Sequence, residues 1–128
     1  MKDCILCNIE LDFEQKVIFK DEYSLFTQNE KHQESCKYSG IIIPKKHREN
    51  VFELSEEEIT STFRILNQVK GWMDKSIKPD GYCIGWNTGA IAGQALFHAH
   101  LHIIPRFCKE PFAGRGIRSW LKSAENKW

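Results

Sequence analysis

No stretch of this 128-residue chain approaches the ~20 consecutive apolar residues that a membrane-crossing helix requires, and the opening residues 1–7 hold no apolar run of secretory-signal length. Charge of either sign is also missing in excess, because 18 basic and 17 acidic side chains leave a net charge of +1. That balance removes the global field by which nucleic acid or an anionic membrane would be held. Repeats, low-complexity tracts and linkers are absent, and the length is too short for two ordinary cores, so one domain over 1–128 is expected. Five cysteines (Cys4, Cys7, Cys36, Cys83, Cys108) are an odd number in a chain without an export signal, which argues against a disulfide framework. The expectation is a soluble, cytoplasmic protein with reduced thiols open to a metal.

What is present comes in short, punctuated pieces. Residues 16–20 and 23–27 are β-prone runs on either side of Asp21-Glu22, as in a tight hairpin, and polar residues 29–37 follow as a loop. Gly40 to Pro44 reads as a buried strand closed by its proline. Ser55 and, three positions on, Glu58 form a capping-box pattern; Ile59, Phe63, Ile65, Leu66, Val69 and Trp72 then recur near helical spacing up to Pro79-Asp80-Gly81. Residues 82–86 make another strand, 87–94 a glycine-punctuated loop, 95–104 a strand ended by Pro105, and 116–124 a short last helix. Together these predict an α+β domain: an antiparallel sheet of about five strands with one long helix packed on it and short helices around it.

Three of the five histidines stand at 98, 100 and 102, alternating with Ala99, Leu101 and Ile103. On a strand this alternation turns all three imidazoles to one face, which packing alone does not explain. Neutral imidazoles are ready zinc ligands, and an unprotonated imidazole is also a nucleophile whose phosphorylated form is labile. Gly89, Gly93 and the Gly93-Gln94-Ala95 turn offer unobstructed backbone N–H groups of the kind that cradle phosphate oxygens, which favours phosphoryl chemistry. The basic residues of the tail, among them Arg115, Arg118 and Lys122, point mildly to a polyphosphate.

The run from Gly93 to Arg106 closely resembles the signature of the histidine triad (HIT) family. The resemblance extends over residues 43–51 and to Asn87, eleven positions before His98. It implies a HIT-like fold and a nucleotide hydrolase or nucleotidyl transferase, acting on dinucleoside polyphosphates or nucleoside phosphoramidates. By that resemblance His100 attacks the α-phosphorus, His102 orients or protonates the leaving group, and Asn87, Gly93, Gln94 and Ala95 hold phosphate oxygens. An adenine nucleotide is the expected substrate, with Phe19, Leu25 and Phe26 as candidate base contacts, and a homodimer using the long helix, Trp72 included, is the expected assembly. Three positions depart from the family pattern. Ala95 stands where a hydroxyl residue is common, and Asn29 where an acidic residue accepts from ribose hydroxyls. Ser39 replaces a histidine, after a slightly long loop over 30–38. The missing hydroxyl leaves a catalytically weak nucleotide- and zinc-binding module as the alternative.

Cys4-x-x-Cys7 alone is half a tetrahedral metal site. A subset of the HIT family completes such a pair with two histidines, matched here by His47 and His98, so the resemblance implies a closed structural zinc site of Cys4, Cys7, His47 and His98. A zinc hydrolase using the histidine run itself as its metal site is the rival reading.

Overall fold

A computed structural model describes residues 1–128. Five strands, β1 (Gln15–Lys20), β2 (Ser24–Asn29), β3 (Gly40–Pro44), β4 (Gly81–Trp86) and β5 (Leu101–Arg106), form one antiparallel sheet in the order β1-β2-β3-β5-β4. The last strand in sequence is therefore interior, inserted between β3 and β4. Helix α1 (Glu56–Ser76) crosses one face. Its start is fixed as the sequence predicts: the Ser55 hydroxyl accepts from the Glu58 N–H at 3.1 Å, and the Glu58 carboxylate accepts from the Ser55 N–H at 2.7 Å.

Period-two alternation decides what each face carries. Phe26, Ile42, Leu101 and Ile103 point to the helix and bury against Ile65, Val69 and Met73. Leu25 and Ile43 point the other way and are covered by Leu6 and Ile9 of the N-terminal turns. Trp72 packs edge-on against Phe19 and Phe26, with ring centroids at 5.9 and 6.3 Å. This bears on two expectations. Phe26 is fully buried and Leu25 nearly so, which makes them core rather than base contacts, with Phe19 packed beside them. Trp72 packs on its own sheet and stays half-buried, which leaves only part of its ring for a second subunit.

The strand predicted over 95–104 is shorter and later, because the ladder stops at Leu101, opposite Ile42 and Trp86. Beyond that point β3 ends in Pro44, which has no N–H to donate, and the Pro44 carbonyl is taken by the His98 ring at 2.8 Å. On the other side β4 gives way to the glycine loop. Pro105 is tolerated inside β5 because β3 pairing has already ended at Ile103, so no β3 carbonyl is left waiting for its missing N–H. The helix expected over 116–124 is also absent. The segment forms turns followed by a single 3-10 turn at Ala124–Asn126, and it buries no side chain that would support a short helix.

The β1–β2 turn is tied to α1 through Asp21. Its carboxylate accepts from the N–H groups of Tyr23 and Ser24, from the Ser61 hydroxyl at 2.6 Å and from Arg64 at 2.8 Å. Burial opposes ionisation there, but these donors outweigh it and bring the carboxyl down to about 2. A depressed carboxyl contributes stability above its unfolded value of 3.8, and loses it as pH falls toward 2. Asp21→Ala should therefore cost about 1–2 kcal/mol at pH 7. In urea titrations the gap between wild type and variant should narrow between pH 4 and pH 2; a gap independent of pH would contradict this account.

Candidate functional site

The segment entering β5 is held by three attachments that fix the histidines one at a time. Gln94, nearly fully buried, accepts from the Gly89 N–H at 2.9 Å and donates to the carbonyls of Glu49 at 2.6 Å and Leu96 at 3.0 Å. The Ala99 N–H donates to the Arg48 carbonyl at 2.7 Å. Arg48 is itself clamped by the buried Glu58 carboxylate at 2.9 Å, so the helix cap and the histidine segment share one anchor. Burial disfavours the Glu58 charge, yet the Ser55 N–H and the Arg48 guanidinium hold its carboxyl below the usual range.

His98 is completely buried. Its Nε2–H donates to the Pro44 carbonyl, which leaves Nδ1 with its lone pair aimed at the cysteine pair: 3.4 Å from Cys4 Sγ and 3.4 Å from Cys7 Sγ. His47 Nδ1 lies 3.3 Å from Cys7 Sγ, and all four donor atoms fall within 4.8 Å of one another. A tetrahedral ion with bonds of about 2.0 Å to nitrogen and about 2.3 Å to sulfur spaces its donors roughly 3.3–3.8 Å apart. The quartet fits a metal ion of that kind. Desolvation, reinforced by neighbouring histidines, pushes the His98 pKa below 6.5, toward the neutral form that a ligand must have.

His100, 9% exposed, is not part of this quartet. Its Nδ1 lies 2.8 Å from the His98 carbonyl. A carbonyl only accepts, so Nδ1 carries the proton and Nε2 keeps a lone pair. The His102 ring stands 4.9 Å away on the sheet face opposite the helix, directly across from Ile41 and Gly85. Burial is the main force lowering the His102 pKa, with repulsion from His100 and His32 adding to it.

The other expected residues are placed less uniformly. Gly93 adopts φ 94, a left-handed conformation natural to glycine, and its Cα side is open toward the Asn87 amide, whose Nδ2 would stand 3.9 Å from an added Cβ. Ala95 is exposed beside it. Gln94 departs from expectation, because both its amide protons are committed to backbone carbonyls; it braces the loop and has no proton left for a phosphate. Asn29 ends β2, where its side-chain oxygen caps the following turn by accepting from the Lys31 N–H at 2.9 Å. Two features escaped the sequence reading. His32, on the turn after β2, bears electrostatically on His102, and Arg48–Glu58 anchors the histidine segment. The capping-box glutamate was visible in sequence; its second partner was not.

The HIT domain profile matches residues 10–109. Among curated proteins, the chain is 32% identical over 109 residues to Protein hit of Bacillus subtilis, covering 84% of this chain and 74% of that one. It is 35% identical over 91 residues to the adenosine 5'-monophosphoramidase hnt1 of Schizosaccharomyces pombe, with 71% and 65% covered. A crystal structure of a HIT family protein from Bacillus anthracis superimposes with a TM-score of 0.75 at 30% identity, covering 84% and 75%. The fold and these relatives define a hydrolase. The chain belongs to the HIT family.

Because burial and neighbouring imidazoles both disfavour its cation, His102 should titrate below 6.5 when its ring is followed by NMR in the protein without nucleotide. A midpoint above that value would overturn the electrostatic description of the site.

Proposed function

We propose that this protein hydrolyses or transfers nucleoside monophosphate groups through a covalent intermediate on His100. The observation that carries the reading is the Nδ1–H bond to the His98 carbonyl, which leaves Nε2 unprotonated and outside the Cys/His quartet. Nε2 attacks the α-phosphorus in line, a P–N bond forms, and the bond to the leaving group breaks with its electron pair going to that group. His102 orients the departing atom and donates the proton of its ring N–H to it. Water then displaces His100 and releases the nucleoside monophosphate. Asn87 and the backbone N–H of Ala95 hold the phosphate oxygens; Gly93, whose N–H donates to the Ala90 carbonyl at 3.0 Å, keeps their loop in place together with Gln94, and Asn29 binds the sugar.

The substrates are dinucleoside polyphosphates or nucleoside phosphoramidates, with adenine favoured by the name of the Schizosaccharomyces relative. Cys4, Cys7, His47 and His98 hold a structural zinc ion. With these four donors as its ligands the ion would have no open position for water and would supply rigidity rather than a Lewis acid. This argues against a zinc hydrolase built on the triad. Ala95 is the observation that favours the second reading, a catalytically weak binding module, because a hydroxyl at that place would add a bond to phosphate. A single domain over 1–128, a cytoplasmic setting suited to five free thiols, and a homodimer complete the reading. The dimer is supported by the helix residues Ile59 and Phe63, which expose apolar surface.

Incubation with diadenosine tetraphosphate or adenosine phosphoramidate should release AMP, detected by chromatography. His100→Ala should lower that rate at least about a thousandfold while the protein stays folded. A folded wild type that releases no AMP from either substrate removes the enzyme reading. Metal analysis should find about one zinc per chain, lost in Cys4→Ser or Cys7→Ser and kept in His100→Ala. Loss of the metal from His100→Ala would instead restore the zinc-hydrolase reading.

A further inference from the structure

Beyond the triad, the same sheet face carries a second feature that the nucleotidyl step does not use. Residues 107–119 fold back over β4 and are pinned there by Arg106, whose guanidinium donates to the Arg115 and Phe112 carbonyls and reaches Cys83 Sγ at 3.1 Å. The pinning carboxylate is Glu110, and Arg106 in turn holds the Glu110 carboxyl below its usual range. Ile117 lands on Gly85, where an added Cβ would meet its Cδ1 at 3.6 Å. Gly85 is the cross-strand partner of His102, and directly opposed residues project from the same face. The folded-back segment therefore lies one strand from the His102 ring, on the β4 side.

Between this segment and β4 runs a cleft of about 570 Å³, bordered by Cys83, Gly116, Ile117, Arg118, Ser119 and Lys122. That volume lies within the range of small-molecule sites, roughly 300–1,000 Å³. From residue 111 to 122 the chain carries Arg115, Arg118 and Lys122 and no acidic side chain, while Glu110 is already neutralised by Arg106. Arg and Lys on a groove with a serine hydroxyl are the donor set that recognises phosphate oxygens.

We propose that this cleft receives the phosphate groups of the leaving group, so that Arg118 and Lys122 select substrates that depart as polyphosphates. This rests on the nucleotidyl-transfer reading and extends it: with His100 attacking from one side of the α-phosphorus, the in-line leaving group passes over His102 toward β4. Phosphoramidates, whose leaving group has no phosphate, gain nothing from the cleft.

The test is the double variant Arg118→Ala/Lys122→Ala, both at exposed positions where truncation leaves the fold intact. The readout is the ratio of kcat/KM for diadenosine tetraphosphate to that for adenosine phosphoramidate. It should fall about tenfold to a hundredfold relative to wild type. A ratio unchanged within about twofold overturns the proposal, as does a parallel loss on both substrates, which marks a structural role. Should the wild type cleave neither substrate, the nucleotidyl-transfer reading fails by itself, and calorimetry with inorganic tripolyphosphate decides the cleft. Weaker binding by the double variant then upholds it, and equal binding sinks it.

Discussion

Everything at the site depends on how a completely buried imidazole is satisfied. His98 has no contact with water, and a polar ring in that position is tolerated only if both nitrogens find partners. One nitrogen takes the carbonyl at which β3 ends, and the other takes the cysteine pair at the N-terminus. The backbone of the same residue then accepts the proton of His100 and so selects the tautomer with a free Nε2. The ring of His98 is thus a structural joint, and its carbonyl presets the chemistry two residues later. A shift of the N-terminal turns would be felt at the reacting nitrogen through a single intervening residue.

Where sequence and structure diverge, the physical reason can be named. The capping box at Ser55, the buried strand ending at Pro44 and the strand before Asn87 were legible because each rests on local rules: cap chemistry, proline, alternation. The strand over 95–104 was misread for the same reason. His-Ala-His-Leu-His alternates as a strand does, but a strand also needs neighbours. Residues 98–100 have a proline on one flank and a loop on the other, so they stay out of the ladder, with His98 in a bend. Period two here reports which way side chains must point, and says nothing of hydrogen bonding. The missing last helix is the complementary error: Ile117, Trp120 and Leu121 recur at helical spacing, but all three stay exposed, so no burial supports so short a helix.

The site was partly legible in the same uneven way. The quartet joins residues 4, 7, 47 and 98, and spacing alone exposed only the Cys4/Cys7 half; the histidines came from the resemblance. Gln94 and Asn29 both spend side-chain hydrogen bonds on nearby backbone, a use that the sequence did not reveal, because a side-chain amide in a loop is as easily consumed by backbone as by a ligand. His32 and the Arg48–Glu58 clamp were invisible, since their relevance lies in which loop folds over which strand. Glu58 satisfies a local rule as a capping glutamate, and that role is enough to explain it until the fold places Arg48 within reach.

The profile match begins at residue 10, so Cys4 and Cys7 lie before the matched segment while His47 and His98 lie within it. The physical need for the cysteine pair can be read from the packing. The N-terminal turns contribute only Leu6 and Ile9 to the small cluster with Leu25 and Ile43, and ordering each of their residues costs roughly 1–2 kcal/mol of backbone entropy. Two buried aliphatic side chains return about 1.5–3 kcal/mol each, which does not hold a segment of that length in place. The thiols of Cys4 and Cys7 supply the missing attachment if an ion joins them to His47 and His98, and burial raises the Cys4 thiol, so that attachment also releases protons. On this reasoning the stability of the first turns and the orientation of His100 are one property: whatever loosens the quartet loosens the ring two residues beyond His98.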